Sequence, residues 1–538
     1  MKRFSLYILL FGALAAAGCQ KKILQLNNPN NPTPSSLTSE AGILDFGLGI
    51  YEKSNTSDGN IWVIMMTMHS IVGDEIWSPW GNWGWRWAEQ CYTITLPSGT
   101  VVQNPIGPTQ KVQLQSTNTR QAGELNVFMY EWELAYYEIG QCNLLLQALD
   151  NTALKMSGDT ATKKGALRAW AYWWKGYFYS RIGSMYLAGV ISDATDGTTN
   201  GNYVSNTAIL DEANKNFTSC LAVLGTLSNT PDYQTVMEAV IPDFCSNTNI
   251  IDPQMWARHV YSMEARNYLV NHKVKAMTST DWTAVLTLAQ QGLQTGDYAF
   301  EYGQRQDGTN DLSGGFYHPY DLIGDNAGFT FVSERLIQDF RTGDQRFTKN
   351  FAQFAPADVQ VNVRNRGMQF GTRFYAVTIE NGGSFATTNN LGEVPISCTP
   401  EENELMLAEA KIYTGDIDGG LTYLDAVRTA EGAGLPATAH TGMPLDTAIA
   451  QLHSERRVGL FMRGVAFYDM RRWSINEPVA NGGGRKNAMV VVPGTYLGTT
   501  SFQALPCTMD YQYLDYWDVP AEELDFNTPA STSVPIRN

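Results

Sequence analysis

The sequence predicts a mainly α-helical protein, a tetratricopeptide-like scaffold of paired helices with a large loop-rich face and short strands. Three observations predict it. Apolar residues recur at steps of three and four in two long segments before residue 190 and in three shorter ones after residue 400. Polar connectors separate these segments. The stretches between are rich in Gly, Asn, Thr and aromatic residues, with few long amphipathic runs.

The chain begins with a targeting signal. Lys2 and Arg3 precede an apolar run, Phe4 to Ala17, that closes on Leu14-Ala15-Ala16-Ala17-Gly18-Cys19, the pattern of a bacterial secretory signal. The run is too short to span a bilayer as a permanent helix. Small residues just before a Cys resemble a lipobox, which makes Cys19 the lipid-bearing N-terminus and residues 1–18 a lipoprotein signal peptide. Residues 19–40 then read as a lipidated N-terminus and extended tether, because Asn27-Asn28-Pro29-Asn30-Asn31-Pro32 cannot hold a helix. Residues 41–538 read as a single unit, helical repeats with loop-rich insertions.

In the first helix pair, Leu125, Phe128, Trp132, Tyr136, Ile139, Asn143, Leu146 and Leu149 form one stripe, from near Gly123. Ala166, Ala169, Trp170, Trp173, Tyr177 and Ile182 form the next, with Lys163, Lys164, Arg168 and Lys175 expected on its wetter side. A polar connector, 151–162, predicts a helical hairpin. Further helices are predicted over Glu402–Tyr413, Leu421–Ala430 and Ala448–Leu460. No clean 34-residue period accompanies them. Residues 54–120, 186–210, 296–400 and 474–519 read as structured loops with short strands such as Arg373–Val377, the place where binding surfaces usually lie.

Charge narrows the partners. With 37 Lys and Arg against 53 Asp and Glu, the formal net charge is -16, and no basic block interrupts it. Nucleic acid and anionic membrane surfaces are therefore not expected as partners. Besides Cys19, the cysteines are Cys91, Cys142, Cys220, Cys245, Cys398 and Cys507. They are scattered, form no CxxC, and leave pairing open.

The sharpest local feature is Asp74-Glu75-Ile76-Trp77-Ser78-Pro79-Trp80-Gly81-Asn82-Trp83-Gly84-Trp85-Arg86-Trp87, which packs five of the chain's 14 Trp into 11 positions. Pro79 and the glycines rule out a continuous amphipathic helix. Indole faces shown by a loop suit the CH-rich faces of sugar rings, with Asp, Asn and Arg beside them to fix hydroxyls. Trp77, Trp80, Trp83 and Trp85 are the expected stacking residues, with Asp74 and Arg86 as polar partners. Tyr317, Tyr320 and Arg373, with His318, Arg364 and Arg366, lie in the other large loop region and would complete a glycan-binding site. Inward packing of these rings, or packing against a protein partner, is the alternative.

The ordered motifs along the chain resemble the SusD/RagB family, cell-surface lipoproteins that pair with TonB-dependent outer-membrane transporters in Bacteroidota. Leu26-Asn27-Asn28-Pro29-Asn30 is similar to the family's Asn-Pro-rich start, and Trp132, Tyr136, Ile139 and Asn143 to its first helix. Ala166-Leu167-Arg168-Ala169-Trp170-Ala171-Tyr172 resembles its alanine-arginine-alanine-aromatic helix. Glu402 through Leu407-Ala408-Glu409-Ala410 resembles its glutamate-alanine helix, and Ala426-Val427-Arg428 the next. Glu455-Arg456-Arg457 with Asp469-Met470-Arg471-Arg472-Trp473 is similar to its most diagnostic stretch, and Tyr516 to Asn527 to its terminal signature. Gly459, Arg463 and Ala466 depart from the pattern inside that stretch. The resemblance implies a helical fold with four tetratricopeptide-like units, a glycan-binding loop face and no catalysis. It further implies a lipid-anchored place on the outer-membrane surface, beside a SusC-like transporter that receives captured oligosaccharide. A structural or interaction role at the transporter, with peptide or another nutrient bound, is the competing reading.

Enzymatic motifs are missing from the sequence. No pair of carboxylates is singled out as a glycosidase would require, no HExxH occurs among the six histidines, and Ser454 beside His453 is no triad. No cofactor is expected. Asp307-Gly308-Thr309-Asn310-Asp311 alternates oxygen-bearing side chains that could hold a structural calcium, yet it lacks the central Gly and final Glu of an EF-hand, so a turn is the better reading. Glu455, Arg456, Asp469, Arg471 and Arg472 read as a structural ion network.

Overall fold

A computed structural model describes residues 36–52, 55–56, 59–105, 107–241, 249–304, 330–384 and 392–538. Residues 19–35 of the expected tether, with Cys19, and Tyr317, Tyr320 and the 307–311 segment lie outside the described residues, and the last part of that tether is not extended, since Ser36–Thr38 is a 3-10 turn and a helix starts at Glu40. The principal helices are α1 (Glu40–Glu52), α2 (Ile61–Val72), α3 (Met129–Leu149), α4 (Thr160–Met185), α5 (Asn206–Leu224), α6 (Pro231–Val240), α7 (Pro253–Val270), α8 (Ser279–Ala289), α9 (Pro400–Tyr413), α10 (Ile417–Ala430), α11 (Leu445–Gly459) and α12 (Ala466–Arg472). Side-chain caps start most of them. Asp159, Ser205 and Asp416 accept from the first turns of α4, α5 and α10, and Thr278 with Asp281 closes a capping box on α8. Thr230-Pro231, Asp252-Pro253 and Thr399-Pro400 pair an N-cap with proline at the first helical position.

Helices follow one another as packed neighbours: α3 on α4, α4 on α5, α7 on α8, α8 on α9 and α9 on α10. The expected first helix begins at Met129 rather than near Gly123, because Gly123 sits at φ 54 inside a short 3-10 segment. Helix α4 is wrapped on all sides, and Trp170, Trp173 and Trp174 are fully buried in it. The expected wet side of α4 therefore fails for Lys163 and Lys175. Both are buried, and each is neutralised where it emerges, Lys163 by Glu40 at 2.7 Å and Lys175 by Asp193 at 2.6 Å. One cluster of buried apolar residues runs from Ile43 to Val519, and a smaller one joins α9, α10 and α11.

The loop-rich regions hold more strand than expected. Those around the Trp-rich segment and the C-terminal region are, in chain order, β1 (Ile76–Trp77), β2 (Thr93–Thr95), β3 (Val101–Gln103), β4 (Phe331–Val332), β5 (Phe351–Gln353), β6 (Phe374–Ala376), β7 (Arg485–Val492) and β8 (Gln503–Asp510). An antiparallel sheet in the order β7-β8-β2-β3 ties residues 93–103 to the C-terminal region. Pairs β1–β4 and β5–β6 are also antiparallel. The strand predicted over Arg373–Val377 is β6. The five described cysteines, Cys91, Cys142, Cys220, Cys398 and Cys507, are buried and unpaired. No described helix is long and apolar enough to cross a membrane.

The predicted ion network forms in part between α9, α11 and α12: Arg456, Asp469 and Arg472 belong to it, whereas Arg471 donates to the carbonyls of Ser184, Val270 and Asp515 and Glu455 pairs elsewhere. Glu409 takes two bonds from Arg472, at 2.6 and 2.7 Å, while Asp469 accepts from Arg472 at 2.6 Å and Arg456 at 2.9 Å. Arg428 and Arg346 both reach Glu455. The departures from the family pattern fit locally. A Cβ at Gly459 would lie 3.1 Å from carboxylate oxygens of Glu431 and Glu455, and Ala466 leaves room for the close approach of Gly73. The buried pairs specify geometry more than they stabilise. Replacing Glu409 by Gln leaves Arg456 and Arg472 sharing Asp469, and should cost about 3–5 kcal/mol. A lower urea midpoint with an unchanged denaturant slope is the expected reading.

Candidate functional site

The Trp-rich loop starts from a buried carboxylate. Asp74 follows α2 at φ 57 and is 6% exposed. It accepts from Arg335 Nη2 at 2.6 Å, Ser333 Oγ at 2.9 Å and Tyr511 Oη at 2.6 Å. Burial alone would raise the Asp74 carboxyl, but the Arg335 guanidinium wins and holds it well below the usual carboxylate range. Arg457 of α11 donates to the carbonyls of Gly73 and Asp74, both at 2.8 Å. Glu75, beside it, is pushed up to about 7 by burial, against the Arg457 charge.

Two indoles of the loop then turn inward. Trp77 in β1 is 1% exposed and stacks on Phe331 of β4 with centroids 4.5 Å apart. Trp85 opens a single helical turn, Trp85–Ala88, and is 0% exposed. Between them Ser78 N–H donates to Glu89 Oε1 at 2.6 Å, and Arg86 N–H closes the loop on Trp80 O at 3.2 Å. Trp83 and Gly84 both adopt left-handed backbone, at φ 53 and φ 72. Glycine is required at position 84, where a Cβ would meet the Leu125 carbonyl oxygen at 2.6 Å.

The expectation that Trp77, Trp85 and Asp74 face a ligand is therefore corrected. A loop of this length holds its shape only if some rings anchor it, and burial of these two indoles and saturation of this carboxylate supply the anchor. Trp80, Trp83 and Trp87 remain half-buried at the surface, with Trp83 tilted against Trp85 at 4.7 Å and the Arg86 guanidinium 4.7 Å from the Trp87 ring centroid.

A second segment meets the loop. In the turn 362–367, Asn362, Arg364 and Asn365 take φ values of 42, 60 and 54. Asn tolerates this conformation and Arg does so at a cost. The Arg364 guanidinium lies 3.5 Å from the centroid of the Trp80 ring, and Arg366 donates to the Pro79 carbonyl. Thus Arg364 and Arg366 join the Trp loop. Arg373 does not: its guanidinium is committed to buried Glu334, with Nη2 at 2.7 Å and Nε at 3.1 Å, which corrects its expected role as a ligand donor.

Behind the turn is a cavity of about 170 Å³ that the sequence did not signal, lined by Gln90, Asn104, Asn365, Gln369 and Tyr496 among others. Both polar atoms of the buried Gln90 amide, and Gln369 Nε2, lack hydrogen-bond partners. Tyr496, 44% exposed, stands at this cavity. Gly367 at φ 150 permits it, because a Cβ there would lie 2.7 Å from the amide atoms of Gln90 and Gln369. A hydroxyl-bearing ligand could satisfy these amides. Two larger hollows, about 300 and 590 Å³, lie elsewhere. The first sets Tyr298 among Asp297, Glu401 and Glu404, and the second is walled by Arg346, already paired with Asp344, Glu431 and Glu455. Neither combines ring faces with orphaned amides.

The split between anchors and surface rings is measurable. Trp85→Ala should lower stability by about 3–5 kcal/mol, whereas Trp83→Ala should change it by less than about 1 kcal/mol in chemical denaturation. Glu75 makes a pH prediction. Its folded pKa of about 7 exceeds its ordinary 4.5, so the folded state holds the proton more tightly and stability falls as pH rises between those values. Glu75→Gln should remove a decline on the order of 1–3 kcal/mol across that window, read from unfolding free energy against pH.

The sequence model of the SusD family matches residues 402–530. Among curated proteins no sequence relative matches. The fold is similar to that of a SusD-like carbohydrate-binding protein from Bacteroides fragilis, at 14% identity and TM-score 0.57, over 91% of this chain and 99% of that one. A SusD homologue from Bacteroides thetaiotaomicron gives TM-score 0.57 at 14% identity, over 91% and 97%. Surface glycan-binding protein A from Bacteroides uniformis gives 0.56 at 15%, over 91% and 98%. The chain thus carries a match to the SusD family over residues 402–530, and the fold of its described residues is similar to that of SusD-like proteins.

Proposed function

We propose that this protein captures oligosaccharides at the cell surface without cutting them and passes them to a TonB-dependent, SusC-like outer-membrane transporter, while lipid on Cys19 holds it at the membrane. One observation carries the capture step: the turn 362–367 joins a loop bearing three half-buried indoles, Trp80, Trp83 and Trp87, to a cavity where both polar atoms of the Gln90 amide and Gln369 Nε2 lack partners. Ring faces give contact area to the CH faces of a sugar, and amides give direction to its hydroxyls. A volume of about 170 Å³ equals that of about six waters, which sugar hydroxyls can replace. The carbohydrate binding named for the Bacteroides fragilis and Bacteroides uniformis relatives supports the same reading. Delivery requires release, so affinity at one site should be modest.

The test is affinity electrophoresis of the full-length chain, in mild detergent, across a panel of plant, host and microbial polysaccharides. Wild type should be retained by at least one, with no new reducing ends after prolonged incubation. Changing Trp80, Trp83 and Trp87 together to Ala should weaken that retention at least about tenfold with unchanged far-UV circular dichroism, since three stacking contacts are lost. Equal retention of wild type and variant overturns the site, and the appearance of reducing ends overturns the non-catalytic reading.

A further inference from the structure

The Trp loop carries more positive charge than neutral sugar capture requires. Arg86, Arg364 and Arg366 converge there. Arg364 covers Trp80, Arg366 binds the Pro79 carbonyl, and Arg86 lies over Trp87 while its backbone closes on Trp80. None of the three has a carboxylate within ion-pair distance among the described residues, and the buried Nε of Arg86 has no hydrogen-bond partner. Several interior arginines elsewhere meet carboxylates, Arg335 at Asp74, Arg346 at Glu455, Arg456 and Arg472 at Asp469, and buried Arg471 fills its donors with the carbonyls of Ser184, Val270 and Asp515. In a chain of formal net charge -16, three arginines without a carboxylate thus gather at one loop.

Their mutual effect is visible. Burial and then the Arg366 charge push the Arg86 guanidinium down, and burial followed by the Arg364 charge does the same to Arg366. Glu89, at the end of the loop, accepts from Ser78 N–H rather than from any of the three, and burial pushes its carboxyl well above the usual range. Arg364 also holds a left-handed backbone where Asn or Gly would sit at less cost, and such strain marks sites where a side chain must be delivered to one place. A guanidinium stacked on an indole keeps its N–H donors in its own plane, so the outer edge stays open to a ligand.

We propose that the captured ligand is an acidic oligosaccharide, whose carboxylate or sulfate groups are bound by Arg86, Arg364 and Arg366 while its rings pack on the exposed edges of Trp80, Trp83 and Trp87. This rests on the capture reading above and names its ligand class. Planar carboxylates and sulfates accept forked N–H pairs from Arg, at about twice the strength of neutral hydrogen bonds. Three arginines on a strongly acidic protein are too few to track a nucleic-acid backbone, whose binding needs an extended run of phosphate contacts. The rest of the negative surface is screened beyond about 8 Å in physiological salt, so the cluster acts locally.

The experiment titrates the full-length chain, in mild detergent, with tetragalacturonate and its fully methyl-esterified form, and with a sulfated carrageenan tetrasaccharide and its desulfated form. At least one acidic member should bind about tenfold or more tighter than its neutral counterpart, and which one does so distinguishes carboxylate from sulfate. Arg364→Gln and Arg86→Gln should each shrink that ratio severalfold while leaving the thermal midpoint unchanged, and Arg364→Lys should restore part of it. Raising salt to about 0.5 M should weaken only the acidic member. Equal binding of acidic and neutral members, or a ratio unmoved by both glutamine variants, overturns the acid assignment and leaves capture standing. Failure to bind any of the four also overturns it, and failure across the polysaccharide panel as well overturns capture itself.

Discussion

The Trp loop depends on one buried carboxylate. Asp74 draws Arg335, Ser333 and Tyr511 onto itself, while Arg457 grips the carbonyls of Gly73 and Asp74. Segments far apart in sequence thus meet at a single point. Isolated, such a carboxylate would cost several kcal/mol to bury, and the guanidinium and hydroxyl donors offset this only in one geometry. The left-handed backbone at Asp74 belongs to that geometry. Release of any donor would free the chain just where it leaves α2 and enters the loop.

From this fixed start the loop divides its rings by function. Trp77 and Trp85 fill the interior and give the loop the rigidity of a packed core, where every missing contact is felt. Trp80, Trp83 and Trp87 can then stay at the surface without collapsing onto one another. Arg364 and Arg86 cover parts of their faces, which reduces the cost of showing indole to water before a ligand arrives. A site built in this way is largely ready-made, so binding need not order it.

The helical frame was legible where apolar periodicity is strong and both faces differ, as in α3, α9, α10 and α11. Helices α5 to α8 were not read. Their start signals, such as Thr230-Pro231 and Asp252-Pro253, stand in plain view, and the stripe Tyr233, Val236, Met237 and Val240 follows the first of them, but over a helix of only 10 residues. The 474–519 region read as loop, although it contains the two eight-residue strands β7 and β8. Their pairing with residues 93–95 is a long-range choice that local pattern does not encode. The Trp cluster itself was visible, but not which rings turn inward. Position in the loop decides that, through β1 pairing with Phe331 and the left-handed step at Trp83 and Gly84. Arg364 and Arg366 were noticed as loop residues, whereas Gln90, Gln369 and Tyr496 carry no sequence signal, since their meaning lies in having no partner or in standing at the cavity.

The turn at 362–367 has a consequence for how such a protein can change. It contributes Arg364 and Arg366 to one side and Asn362, Asn365 and Gly367 to the cavity on the other, yet its side chains add little to the apolar interior. Exchange of half a dozen residues there would alter both the arginine side and the cavity side while the helical frame, with its buried charges already satisfied, folds as before. On the capture reading proposed above, ligand preference is thereby separated from the demands of folding.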